Sequence, residues 1–189
     1  MTLERFPTQG IQTPRLILRL ASPVYAADLL TFYQSNQSHL QPWDPLRNDD
    51  FYTLQTMRHT LEKYEQKIKA GLSLNLLIYT IENPELIGHC NYSNIVQGAF
   101  QACHLGYAIS AAFEGKGLMC EALTAANLYI FESYGLHRIM ANYRPENHRS
   151  GALLSRLGFE QEGLAKSYLK INGAWADHVL TSKINPVHL

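Results

Sequence analysis

The chain has 189 residues, enough for one domain, with its core over about residues 13–185, and no need of disulfide staples. Its 16 Lys and Arg balance its 16 Asp and Glu, so direct sequence-specific nucleic-acid binding and membrane-surface binding, which call for a basic excess, are not expected. Cys90, Cys103 and Cys120 are an odd few that suit reduced thiols, Met1–Gly10 has no apolar signal core, and no apolar run could span a bilayer, so a cytoplasmic home is expected.

Thr13–Ala21 alternates Leu16, Leu18 and Leu20 with Arg15, Ile17 and Arg19 and reads as a strand. Ser22-Pro23 reads as an N-cap with Pro at the first helical position, opening a helix that carries Val24, Ala27, Leu30, Phe32 and Tyr33. In Leu40–Pro45 two prolines bracket Trp43 and forbid regular structure, leaving a Trp that either fills the core or walls a site. Asp49 or Asp50 caps the next predicted helix, whose Leu54, Met57, Leu61, Tyr64 and Ile68 recur at threes and fours before Gly71. Strands follow over Ser73–Ile81, Leu86–Val96 and Phe100–Ser110, joined by tight turns and therefore antiparallel.

Leu105–Gly135 passes from an alternating strand through a loop tipped by Gly115-Lys116-Gly117 into a long apolar-periodic helix. Glycines there let the backbone approach a ligand, and the helix start presents unpaired N–H groups to an anion such as a phosphate. A tight turn that needs glycine for geometry alone is the other reading. His137–Tyr143 is the next strand and Asn147–Leu157 a short helix, with Asn147 as N-cap and Gly158 past its end. Phe159–Ile171 and Trp175–Ile184 form a hairpin about Asn172-Gly173, and the tail after Pro186 reads as loose. The sum is an α+β architecture, a mixed, mostly antiparallel sheet of about seven strands carrying about four helices.

Several chemistries lack their residues. Position 120 is Cys, so the glycine loop is not the dinucleotide fingerprint, and no Walker sequence is present. His89-Cys90 and Cys103-His104 point alternately to opposite faces, giving each face too few ligands for zinc, and no metal is expected. No G-x-S-x-G elbow supports a serine hydrolase.

Taken together, LQPWDP (Leu40–Pro45), LGYAIS (Leu105–Ser110), GKGLMCEALTAA (Gly115–Ala126) and HRIMANYRPENHRSGALLSRLGFEQEG (His137–Gly163) resemble the GCN5-related N-acetyltransferase superfamily. Within it the chain is similar to the bacterial ribosomal-protein-alanine N-acetyltransferases of the Rim group. The resemblance implies the GNAT fold, acetyl-CoA as donor, and as acceptor the N-terminal alanine of a small-subunit ribosomal protein, met on the assembling subunit. It places the pyrophosphate on Gly115, Lys116, Gly117, Leu118 and Met119, and the pantetheine arm along Tyr107, Ala108 and Ile109. It gives Asn147 to the cofactor's amide linkages. Ala112 stands where the family has Gln or Arg, a departure that backbone-held phosphates tolerate.

For catalysis the resemblance implies Glu162 as base, with Glu160 its rival, and Ser150 as acid, since Leu154 replaces the tyrosine that many members use. An α-amine of pKa about 8 is already about a quarter neutral near pH 7.5, so a modest base suffices. The oxyanion is expected on backbone N–H near Ala108 or Ile109. Trp43, Asp44 and Tyr92 are the expected acceptor wall. An acetyltransferase for a polyamine or amino sugar, or an acetyl-CoA-binding assembly module, remains open at this stage.

Overall fold

A computed structural model describes residues 6–188. Its strands are β1 (Ile11–Gln12), β2 (Leu16–Leu20), β3 (Leu74–Thr80), β4 (Leu86–Val96), β5 (Ala102–Ile109), β6 (Arg138–Tyr143), β7 (Glu160–Ile171) and β8 (Ala174–Ile184). They form one sheet in the order β1-β2-β3-β4-β5-β6-β8-β7. Every neighbouring pair is antiparallel except β5 and β6. Parallel neighbours need a crossover, and α4 (Leu118–Tyr134) supplies it. The other α-helices are α1 (Ala26–Ser35), α2 (Gln37–Leu40), α3 (Leu54–Lys69) and α5 (His148–Arg156). The added strand is β1, too short to show as alternation, and the added helix is the single turn α2. No helix among the described residues is long and apolar enough to cross a membrane.

Helices cover both faces of the sheet, and the strands divide their side chains between them. On one face, Leu74, Leu76, Ile78, Cys90, Tyr92, Cys103 and Leu105 pack with Leu118, Leu123 and Ile130 of α4. On the other, Leu77 and Tyr79 pack with Ala26, Leu29 and Phe32 of α1 and with Met57 and Leu61 of α3. His89 and Cys90 accordingly face opposite layers, as neighbours on a strand must. At the β7–β8 turn, Asn172 and Gly173 have φ of 44° and 83°, the doubly left-handed conformation that their sequence favours.

Three boundaries differ from the sequence reading. Ser22 is extended and makes no side-chain cap bond, and Pro23 opens a 3₁₀ turn, Pro23–Tyr25, that α1 takes over at Ala26. That tighter turn rotates the helix, so Ala26, Leu29 and Phe32 are buried while Val24 is 78% exposed. Asp49 and Asp50 sit in a second 3₁₀ turn, and Thr53 caps α3, its hydroxyl accepting from the Thr56 N–H. The tail forms a 3₁₀ turn, Pro186–His188, with His188 stacked on His137.

Candidate active site

The β5–β6 ladder runs from Ala102 opposite Arg138 to Leu105 opposite Ala141 and stops. On its other edge β5 stays paired with β4 through Ile109. Residues 106–109 therefore turn one edge of backbone into a gap, while β6 continues beside β8 to Tyr143. Unpaired backbone of this kind accepts an extended ligand as a further strand end.

The far side of the gap is the start of α5. Asn147 caps it, its Oδ1 accepting from the Ser150 N–H at 3.1 Å. A Cβ on Gly151 would stand 2.9 Å from the Tyr143 ring, so this helix lies against the end of β6 as only glycine permits. Across the gap the Tyr107 hydroxyl meets Ser150 Oγ at 2.6 Å. Burial pushes the Tyr107 phenol up to about 12, with the Ser150 hydrogen bond opposing, so the hydroxyl keeps its proton at neutral pH.

Beyond β5, a 3₁₀ turn at Ala111–Phe113 leads into the glycine loop. Gly115 and Gly117 have φ of 71° and 74°, and Gly117 is the N-cap of α4, its carbonyl accepting from the Glu121 N–H. The amides of Leu118 and Met119 belong to the helix's first turn and have no partner within it. No protein atom lies within 4 Å of a Cβ built on Gly115. An open loop of left-handed glycines on a helix N-terminus fits a pyrophosphate. Arg15 braces it from behind, Nη1 donating to the Lys116 carbonyl at 3.0 Å and Nε to Glu121 at 2.7 Å. Glu114 links loop to helix, pairing with Arg149 of α5 and lying 3.3 Å from His39. The residues expected to hold the cofactor thus converge, with Tyr107, Ala108, Ile109 and Asn147 at the gap and Gly115–Met119 beside it, and Ser150, the expected acid, lies with them.

The expected acceptor and base residues fare unevenly. The Trp43 ring lies under the Arg144 guanidinium at 5.8 Å, and Arg144 Nη1 donates to the Pro42 carbonyl. The Asp44 carbonyl accepts from the Asn172 N–H, so this loop ties the end of β6 to the β7–β8 turn. Burial raises the Asp44 carboxyl, and Arg47 at 3.7 Å opposes it. Tyr92 is no wall. It is fully buried on the α4 side, its hydroxyl donating to Asn127 Oδ1 at 2.7 Å.

Glu162 is not brought to the Tyr107–Ser150 pair. It lies on β7, three strands from β5, or about 14 Å at ordinary strand spacing. One carboxylate oxygen accepts from Arg138 and the other from Ser182 Oγ at 2.9 Å. The Arg138 hydrogen bond holds this carboxyl below its usual range, the reverse of what a base requires. Glu160, at the exposed start of the same edge strand, sits opposite Ser182.

Two features escaped the sequence. One is the Tyr107 side chain, which was expected to serve by its backbone alone. The other is a cavity of about 170 Å³ between α1, α3 and β4, whose lining includes Tyr33, Arg47, Thr60, His89 and Asn91. His89 is the register partner of Ala108, and Ala108 packs against the apolar cluster that surrounds the cavity. Burial lowers the His89 imidazole to about 4, so it is neutral at neutral pH. No group of three His, Cys, Asp or Glu among the described residues is placed to hold a metal.

Known proteins share this fold. Residues 15–160 match the family described as acetyltransferase (GNAT) domain. The [ribosomal protein uS5]-alanine N-acetyltransferase of Escherichia coli is 44% identical over 180 residues, 95% of this chain and 93% of that protein. The ribosomal-protein-S5-alanine acetyltransferase of Vibrio fischeri superposes with a TM-score of 0.88 at 37% identity, over 93% of this chain and 96% of that one. Mycobacterium smegmatis RimJ, solved in complex with CoA-disulfide, superposes at 0.86 with 29% identity, over 92% and 83% of the two chains.

Proposed function

The chain belongs to the GNAT acetyltransferase family, and on that premise we propose that it acetylates the N-terminal alanine of small-subunit ribosomal protein uS5 from acetyl-CoA, in the cytoplasm. The observation that carries the proposal is the gap between β5 and β6, bridged by Tyr107 and Ser150 and flanked by the glycine loop. Identity of 44% with a uS5-alanine acetyltransferase over nearly the whole chain supports the choice of acceptor.

Acetyl-CoA supplies a thioester, and direct attack by a neutral amine within one ternary complex gives the acetylated amine and free thiol with no net proton. The chain's residues divide the work. The first-turn amides of α4 and the loop Gly115–Gly117 hold the pyrophosphate. The free edge at Tyr107–Ile109 aligns the pantetheine arm, and the Ile109 N–H, which the β4–β5 ladder leaves turned to the gap, faces the developing oxyanion. The Asn147 cap holds Ser150 toward Tyr107, and this protonated pair gives a proton to the departing sulfur and is restored by the proton that the attacking nitrogen loses. The amine is an α-amine, so no strongly basic side chain is needed, and Glu162 is left to hold Arg138.

A peptide panel differing in the first two residues, incubated with acetyl-CoA and read by intact mass, tests the reading. Peptides beginning with the Ala of uS5 should gain one acetyl group at the α-amine. Transfer only to polyamines, amino sugars or lysine side chains would overturn it.

A further inference from the structure

Five polar groups cross the α1/α3 face of the sheet in one hydrogen-bonded line. The Ser73 hydroxyl donates to Asn75 Oδ1 at 2.7 Å, and Asn75 Nδ2 donates to Asn91 Oδ1 at 3.0 Å. Asn91 Nδ2 lies 3.2 Å from His89 Nδ1, and His89 Nε2 lies 3.2 Å from the Tyr33 hydroxyl. The direction of the line follows from its first member. Each amide that accepts at its oxygen has its NH₂ left to donate onward, so His89 Nδ1 accepts. A neutral imidazole that accepts at Nδ1 carries its proton on Nε2, which donates to the Tyr33 oxygen. The Tyr33 hydrogen is then left for another acceptor. Tyr33 lines the cavity beside β4.

We infer that this cavity receives the first residue of the acceptor chain, with the Tyr33 hydroxyl donating to that residue's carbonyl oxygen. The inference rests on the N-terminal acetyltransferase reading above and names the pocket that reading requires. Size, charge and position each support it. A volume of about 170 Å³ is close to that of a cavity that holds one benzene, about 150 Å³, so one small residue fits and a long side chain does not. The lining includes no Asp or Glu, and its one guanidinium, Arg47, lies 4.3 Å from the Phe51 ring and 3.7 Å from the Asp44 carboxylate, so the walls carry no unpaired negative charge. Such a lining offers donors to a carbonyl and disfavours an ammonium, so it shifts the incoming α-amine toward the neutral form that attacks. This removes the need for a carboxylate base at the gap. Finally, His89 is paired with Ala108, so the pocket lies one strand from the backbone edge assigned to the thioester arm.

Tyr33 and His89 are positioning residues here, and the test is chosen to separate positioning from mere structure. Initial rates would be measured for an Ala-starting peptide and for its analogue with CH₂ in place of the first carbonyl. Tyr33→Phe should lower kcat/KM for the normal peptide about tenfold, chiefly through KM. It should leave the carbonyl-free analogue and the acetyl-CoA affinity as in wild type. Thr60→Phe fills the cavity from α3 and should raise KM for the Ala peptide at least tenfold with acetyl-CoA affinity intact. Phe51→Ala, which widens the pocket, should raise turnover of a Leu-starting peptide relative to the Ala peptide at least fivefold. An active Tyr33→Phe enzyme that loses the same factor on both substrates, or wild-type KM in Thr60→Phe, or an unchanged preference in Phe51→Ala, would overturn the pocket. Should wild-type enzyme acetylate no Ala-starting peptide, the N-terminal reading itself fails, and the pocket with it.

Discussion

Ser150 and Glu162 show how the surroundings of one side chain decide its role. The Ser150 hydroxyl is fixed twice, by the cap that places its N–H on Asn147 and by the 2.6 Å contact with Tyr107. Removing the hydroxyl leaves the phenol in place, so Ser150→Ala should lower kcat by about a hundredfold, the lower end of what general acids contribute, while KM for acetyl-CoA changes little. Glu162→Gln keeps the shape of its pair and loses the charge, and turnover should stay within about threefold of wild type from pH 6 to 9. Steady-state kinetics on both variants check the division, and a large loss confined to Glu162→Gln would return the base role to it. Ser150 and Asn147 were legible because a helix cap is a local, three-residue pattern. Tyr92 was misread because helices cover both faces of this sheet. Both sets of β4 side chains are then covered, and alternation no longer tells which of them faces the site. The Tyr33–His89–Asn91 line joins α1 to β4 across more than 50 residues, and no local pattern announces such a contact.

At the scale of the element, the glycine loop is shaped by what stands behind it as much as by its own residues. Glu121 in the first turn of α4 accepts from the Thr13 hydroxyl at 2.6 Å and from the Arg15 backbone and guanidinium, and Arg15 also donates to the Lys116 carbonyl. Burial pushes the Glu121 carboxyl up, and these hydrogen bonds together outweigh it, leaving the group below its ordinary value. A carboxyl depressed in the folded state adds stability that is complete above the ordinary carboxylate range. That stability is lost as pH falls through the lower folded-state value. Melting temperature followed from pH 7 to pH 3 should therefore fall less steeply in Glu121→Gln than in wild type, from a lower starting point. The same variant loosens the Lys116 turn and should weaken acetyl-CoA binding several-fold in a calorimetric titration. The loop was readable as an anion site from Gly115, Gly117 and the helix that follows. The brace was not, because Arg15 and Glu121 stand 106 positions apart.

At the scale of the whole molecule, the sheet is continuous from β1 to β7 except where β5 and β6 part, and the site occupies that interruption. The order of strands and helices could be read from hydrophobic period and turn residues. The insertion of β8 between β6 and β7 follows from the Asn172-Gly173 hairpin only once β6 is known to pair with its second arm. A ligand lying in the gap replaces the missing ladder and touches β5, the α4 N-terminus and α5 together. Binding to the folded state alone stabilises it by about 2.7 kcal/mol at a hundredfold excess over Kd, which for a chain of this size raises Tm by about 5–11 °C. The gain should not be spread evenly. Hydrogen exchange with and without acetyl-CoA should slow at Tyr107 and Ile109, at 115–119 and around 147–150, because these amides lose their access to water or gain a partner. The β7–β8 turn, where Leu169–Ile171 pairs with Ala174–Ala176 without the ligand, should exchange at the same rate in both states. Uniform slowing across the sheet would mean that the ligand tightens the fold as a whole. Slowing confined to the hairpin would move the cofactor away from the gap.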